Sequence, residues 1–209
     1  MKKICVLVSG GGTNLQALID ARKNGLIKNG EITCVISSKA EAYALERARQ
    51  NGIKTRVVPR AAYDDVMAYT KAVTAALEEE KADLVVYAGF MTILDEQIVR
   101  AFPYKMINVH PSLIPSFCGK GFYGLRVHEA VLKSGVKLTG ATVHFVTEVC
   151  DGGPIIMQKA VAVKNGDTPQ TLQRRVMEEA EWDILPRTVA LLCEDKVQIQ
   201  DGIALVFDN

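Results

Sequence analysis

The chain has no apolar run of membrane-spanning length, no Cys-x-x-Cys pair and almost no net charge, and each absence removes a class of function. In 209 residues, 25 Lys and Arg stand against 24 Asp and Glu, a formal charge of +1. So small a net charge creates no global field to draw the chain to nucleic acid or an anionic membrane, and an anionic ligand must be held by local donors. The five cysteines, Cys5, Cys34, Cys118, Cys150 and Cys193, are odd in number and widely spaced, without the ligand spacing of a zinc or dithiol site. Reduced thiols are expected. Only three histidines occur, His110, His128 and His144, with no clustered acids or thiols at ligand spacing, so no metal is expected. After Met1, Lys2 and Lys3, the apolar stretch Ile4 to Val8 is too short for a signal-peptide core. A cytoplasmic protein with no nucleic-acid or membrane partner is the expectation.

What is present is enough for one core. With 48% hydrophobic and 23% charged residues, residues 1–209 are read as a single domain. The run Ile4 to Val8 stops at Ser9-Gly10-Gly11-Gly12, and Leu15, Leu18 and Ile19 then recur at helical spacing. The rhythm repeats: a strand over 31–37, a helix over 41–50, a strand over 54–58, a long helix over 63–81 and a nearly continuous apolar strand over 83–88. Further on, the pattern predicts a strand over 105–110, a helix over 124–134 and strands around 138–147 and 155–163. A long helix follows from about Thr168, which Pro186 is expected to kink, and then a hairpin turning at Asp201-Gly202. The alternation implies an α/β fold, a Rossmann-like, mostly parallel but mixed open sheet with helices on both faces. In such sheets ligands gather at the carboxyl ends of strands.

The glycine loop sits at one such end. Glycines let backbone approach a ligand, and the helix that follows presents free amides to an anion. No Gly-Lys-Ser/Thr follows at P-loop spacing, and Leu15 takes the place of the third glycine of a dinucleotide fingerprint. One phosphate, with Thr13 and Asn14 as extra donors, suits this loop better than a pyrophosphate. Ser37-Ser38-Lys39 at the next strand end keeps an NADP-dependent oxidoreductase as an alternative.

Asn108 and His110 are two apart on a predicted strand and leave the same face. An amide can donate to a carbonyl oxygen as charge develops on it, and an imidazole can move protons near neutral pH. Asp151 lies in Cys150-Asp151-Gly152-Gly153-Pro154, a turn able to fix a side chain. Brought beside His110, its carboxylate is expected to raise the imidazole's pKa. His144 shares a face with Thr142 and is read as a supporting hydrogen-bond residue. His128, in mid-helix, is expected to be solvated or locally paired.

Together, Ser9-Gly10-Gly11-Gly12-Thr13-Asn14-Leu15-Gln16, Ala88-Gly89-Phe90-Met91, Asn108-Val109-His110-Pro111-Ser112-Leu113 and Asp151-Gly152-Gly153-Pro154 make a specific set. Through them the chain resembles the phosphoribosylglycinamide formyltransferase family of folate-dependent enzymes. The resemblance implies transfer of a formyl group from 10-formyltetrahydrofolate, as co-substrate, to the amine of glycinamide ribonucleotide, in a monomer or homodimer and without a metal. It implies Asn108, His110 and Asp151 as catalytic residues, Gly12, Thr13 and Asn14 on the acceptor's phosphate, and Glu181 on its amine. Folate would lie against Met91, Thr92, Ile93 and Leu94, against Asn108, and against Thr147, Glu148, Val149, Cys150 and Asp151. The segment 116–123 departs from the commoner family pattern and is read as a cover, with Gly119, Gly121 and Gly124 permitting motion. A formyltetrahydrofolate hydrolase, using the same trio on water, is the alternative.

Overall fold

The computed structural model describes residues 1–207. Its contacts divide into two compact units, Met1–Asn108 and a second beginning at Val109. The first is a set of β-α repeats: β1 (Lys2–Val8), α1 (Thr13–Lys23), β2 (Gly30–Ser37), α2 (Tyr43–Gln50), β3 (Lys54–Val57), α3 (Val66–Glu79), β4 (Leu84–Tyr87), α4 (Gln97–Ala101) and the start of β5 (Met106–His110). β1 pairs in parallel with β2 on one side and β4 on the other. The strand order therefore reverses beside β1, and its carboxyl end, at Val8, opens into the glycine loop. Ile4 to Val8 are wholly buried, which is why β1 reads as an unbroken apolar run rather than an alternating one.

α3 begins later than the apolar pattern predicts because Asp65 caps it, its side chain accepting from the Ala68 amide at 2.7 Å. The residues before it form a short 3-10 turn at Arg60–Ala62. The short α4 was not anticipated; five residues give too little periodicity to read.

In the second unit, α5 (Leu125–Ser134) ends on Gly135 in the left-handed region, the expected stop. β6 (Leu138–Phe145) and β7 (Ile155–Ala162) are antiparallel, pairing Thr142 with Gln158 and His144 with Ile155. Then come α6 (Pro169–Val176), a π-helical turn at Met177–Glu181, α7 (Trp182–Cys193) and the hairpin β8 (Val197–Gln200) and β9 (Ile203–Val206). The expected interruption at Pro186 does not occur: α7 runs from Trp182 through Pro186 to Cys193. The carbonyl a proline crowds lies four residues back, here Trp182 inside α7, so the π turn at Met177–Glu181 falls before its direct reach. The hairpin turns through Asp201 and Gly202, both at positive φ, the geometry a two-residue connection requires. The strand order is β3-β2-β1-β4-β5-β6-β7, the mostly parallel, mixed Rossmann-like sheet expected from the sequence. No helix among the described residues is long and apolar enough to cross a membrane.

One histidine departs from its expected setting. His128 lies on the inner face of α5 with Val127 and Val131, all fully buried, and neither ring nitrogen has a hydrogen-bond partner among the described residues. Burial, with His110 adding to it, pushes its pKa down to about 4, so it is neutral in the fold. The unfolded chain binds a proton below about pH 6.5 that the folded chain refuses until about pH 4. Stability is therefore expected to fall as pH drops through that window. Denaturant melts across pH 7 to 4 should show a shallower fall for His128→Leu than for the unsubstituted protein.

Candidate active site

In the first unit, Gly12 occupies the left-handed region (φ 73°, ψ 33°) at the head of α1. A Cβ there would come within 2.6 Å of the Ala44 Cβ, so both conformation and space demand glycine. Thr13 and Asn14 open α1, with Asn14 buried. The carbonyl of Gly11 accepts from Arg47 Nε at 2.8 Å, an anchor the sequence pattern did not reveal. Met91, Thr92, Ile93 and Leu94 follow β4 in the same unit; the Met91 amide donates to Ser9 Oγ at 3.0 Å, while the Met91 and Ile93 side chains are exposed. Asn108 stands on β5, half-buried between buried Ile107 and Val109.

The titratable groups meet in the second unit. His110, the last residue of β5, His144 near the end of β6, and Asp151 in the turn before β7 converge. Asp151 Oδ2 lies 3.5 Å from His110 Nδ1, and Oδ1 lies 3.6 Å from His144 Nε2. Both imidazoles are nearly wholly buried. Asp151 itself sits at φ 53°, a region costly for a side chain bearing a Cβ. The adjoining glycines explain how the turn holds it there. A Cβ on Gly153 would overlap the Phe145 carbonyl, and one on Gly152 would meet Val149 Cγ1 at 2.5 Å. The Phe145 amide donates to the Pro154 carbonyl at 2.9 Å, closing the loop's neck. Thr147, Glu148, Val149 and Cys150 form the outer part of this loop, and Val149 and Cys150 are exposed.

Segment 116–123, read as a cover, touches the acid and the base directly. His110 Nε2 lies 2.9 Å from the Phe117 carbonyl; a carbonyl only accepts, so Nε2 carries the proton and donates. The Gly119 amide donates to Asp151 Oδ2 at 2.9 Å. His144 Nδ1 lies 2.8 Å from the Phe145 carbonyl and donates by the same reasoning. Thr142, on the face His144 shares, accepts from the Ile114 amide at 3.1 Å and donates to the Ser112 carbonyl at 2.7 Å. That pair of bonds fixes the exit from β5, and only the alternation of Thr142 with His144 hinted at it. Glu181, buried at the end of the π turn, is held where the helical repeat is broken, a common site of function.

The electrostatics differ from expectation at one point. Burial pushes the Asp151 carboxyl up, but the His144 side chain, the nearby His110 and the Gly119 amide outweigh it and hold the pKa at about 2. For His110, burial is the largest influence and lowers the pKa; Asp151 and the Phe117 carbonyl pull it up without overcoming that burial. The carboxylate thus raises the imidazole's pKa as expected, yet the net shift is downward. At neutral pH the pair rests as ionised Asp151 beside neutral His110. Among the described residues, no three His, Cys, Asp or Glu side chains are placed to hold a metal ion.

A family model described as formyl transferase matches residues 2–189. Over 201 residues the chain is 39% identical to the phosphoribosylglycinamide formyltransferase of Escherichia coli (strain K12), covering 96% of this chain and 92% of that one. It is 45% identical to the trifunctional purine biosynthetic protein adenosine-3 of Bos taurus, but spans only 19% of that longer protein. The crystal structure of glycinamide ribonucleotide transformylase 1 from Symbiobacterium toebii superposes with a TM-score of 0.93 at 41% identity, covering 100% of this chain and 95% of that one. A formyltetrahydrofolate deformylase from Pseudomonas syringae superposes with a TM-score of 0.85 at 29% identity, covering 99% of this chain and 66% of that one.

A carboxylate whose folded pKa is about 2, against about 3.9 when unfolded, stabilises the fold above the unfolded value. That contribution is lost as pH falls through the folded one. Replacing Asp151 by Asn removes it, so between pH 4 and pH 2 the variant's stability, followed by denaturant melts, should fall less steeply than that of the unsubstituted chain. Equal slopes would mean that the carboxylate is not held ionised by its neighbours.

Proposed function

The chain belongs to the formyl transferase family, and on that premise we propose that it transfers a formyl group from 10-formyltetrahydrofolate to the amine of 5'-phosphoribosylglycinamide, a step of purine biosynthesis. The observation that carries this reading is the ionised Asp151 set against His110 at the end of β5, two residues beyond Asn108. The similarity to proteins named for this transfer, over nearly the whole length of both chains, supports the choice of substrates.

In this reading the loop at Gly12, Thr13 and Asn14 binds the acceptor's phosphate, and Glu181 holds its amine. Met91 to Leu94, Asn108 and Thr147 to Asp151 take the folate. The amine attacks the formyl carbon, and negative charge moves onto the formyl oxygen, where the Asn108 amide and the Nε2 proton of His110 donate to it. The attacking nitrogen sheds one proton as its bond to carbon forms, and the departing folate nitrogen gains one as its own bond breaks. With Nε2 already protonated, the bare nitrogen of resting His110 is Nδ1 on the Asp151 side, so the first proton is taken up there through an intervening water and the second is returned by the same route. Asp151 stabilises the imidazolium in between, and His144 keeps Asp151 oriented. No metal takes part. We further propose that residues 1–209, most of them spanned by one family model, act as a single formyltransferase domain, cytoplasmic and monomeric or homodimeric, with small molecules rather than nucleic acid or membrane as partners.

Hydrolysis of the formyl-folate is the competing reading, since water could use the same three groups. The deformylase relative is less similar, at 29% identity with 66% of its length covered. The discriminating assay mixes purified protein with 10-formyltetrahydrofolate, with and without glycinamide ribonucleotide, and follows release of tetrahydrofolate. Release should require the acceptor; release without it would favour hydrolysis. In the same assay Asn108→Ala and His110→Ala should each lower kcat by roughly a hundredfold to ten-thousandfold with the acceptor's KM little changed. Near-normal turnover in either variant contradicts the roles assigned.

A further inference from the structure

The carbonyls of the glycine loop are all committed to the protein. The Gly10 carbonyl accepts from the Ala44 amide at 3.0 Å, the Gly11 carbonyl from Arg47 Nε at 2.8 Å, and the Gly12 carbonyl from the Gln16 amide at 2.9 Å. Two of these donors, Ala44 and Arg47, come from α2, the first at its start and the second in its last turn. These peptides are trans, the described chain's one cis bond lying at Ile114-Pro115. In a trans peptide C=O and N–H point in opposite directions. Turning the Gly10 and Gly11 carbonyls toward α2 therefore turns the amides of Gly11 and Gly12 away from it, and Gly11 is exposed. Consecutive amides presented to one side make an anion-binding concavity.

Of the two anchors on α2, one is backbone and survives most substitutions; the other is a single side chain. Arg47 is itself fixed at three points. Besides Gly11 it donates from Nη1 to Gln16 Oε1 at 3.1 Å, and its guanidinium lies over the Tyr43 ring, 5.1 Å from the centroid. A planar fork braced by an aromatic face and a second hydrogen bond loses little freedom on orienting a carbonyl. Half-buried behind the loop, it also places a positive charge on the side opposite the amides, where it adds to their attraction for an anion.

We propose that Arg47 is a positioning residue of the phosphate site, holding the Gly11–Gly12 peptide so that its amide faces the acceptor's phosphate. The proposal rests on the assignment of the loop to phosphate made above. Arg47 touches neither the formyl group nor the attacking amine, so its loss should weaken recognition of the phosphate and leave the chemical step alone.

The test compares glycinamide ribonucleotide with the same riboside lacking its phosphate, measuring kcat and KM for each. Arg47→Met should raise KM for the phosphorylated acceptor about tenfold, the worth of one charge-assisted hydrogen bond, with kcat nearly unchanged and the riboside's kcat/KM unaffected. The preference for phosphate then shrinks about tenfold, and Arg47→Lys, which keeps the charge but not the fork, should recover part of it. Equal losses on both acceptors would mark Arg47 as merely structural, and an undiminished preference would show that it does not position the loop; either overturns the proposal. If the unsubstituted protein shows no preference for the phosphorylated acceptor, the assignment of the loop to phosphate fails and this inference with it. Should Arg47→Met not fold, Arg47→Gln, which keeps a polar stem of similar shape, is read against the same outcomes.

Discussion

A carboxylate held in a tight turn against two nearly buried imidazoles is the constraint around which the second unit is arranged. Removing such a charge from water is costly unless its oxygens are met by donors or positive charge. The Gly119 amide donates to one Asp151 oxygen and the His144 side chain stands at the other, while His110 Nδ1, bare in the resting ring, compensates the charge only once it is protonated. Each requirement reaches back into the sequence. The turn needs Gly152 and Gly153 because a Cβ at either would collide with Val149 or Phe145. The register of β6 needs Thr142 and His144 on one face, the first tying down the exit of β5 and the second facing the carboxylate. Replacing Thr142 or His144 leaves a polar group or a charge without its partner, which costs more than the contact itself contributes, and replacing either glycine forces the turn itself to move.

The first unit meets a different demand with different means. Its loop at the end of β1 carries no titratable group, and the recognition proposed for it runs through backbone amides whose direction is set from behind. There the work is done by α2, with the Ala44 amide and the Arg47 guanidinium turning the carbonyls inward. Recognition by fixed amides suits a ligand whose charge does not change during a reaction. An imidazole beside a carboxylate suits one whose protons must move. That contrast is the chemical reason for assigning the phosphate to the loop and the formyl transfer to the histidine cluster.

Much of this was legible in the chain. The β-α rhythm, the alternation in Asn108-Val109-His110 and the Asp-Gly-Gly-Pro turn are local signals, readable because strand period and turn chemistry depend on neighbouring residues alone. An interruption was expected at Pro186, but α7 continues through it and the helical repeat is lost earlier, at Met177–Glu181, where no local signal in the sequence marks it. What was not legible depends on contacts distant in sequence. Arg47 lies 36 residues from the carbonyl it holds. The burial of His128 follows from which face of α5 turns inward, and α5 alone did not announce it. The net direction of the His110 shift is a competition between burial and a neighbouring charge, and only coordinates weigh one against the other.

In the proposed transfer that competition decides the chemistry, because a neutral His110 beside an ionised Asp151 has a nitrogen free to take up the amine's proton, whereas an imidazolium at rest does not. NMR titration of the His110 ring in the ligand-free protein, with and without Asp151→Asn, measures it directly. His110 should titrate below its ordinary value of 6.5, and lower still once the carboxylate is neutralised. A midpoint at or above 6.5, or one unmoved by Asp151→Asn, would contradict the assignment of acid and base.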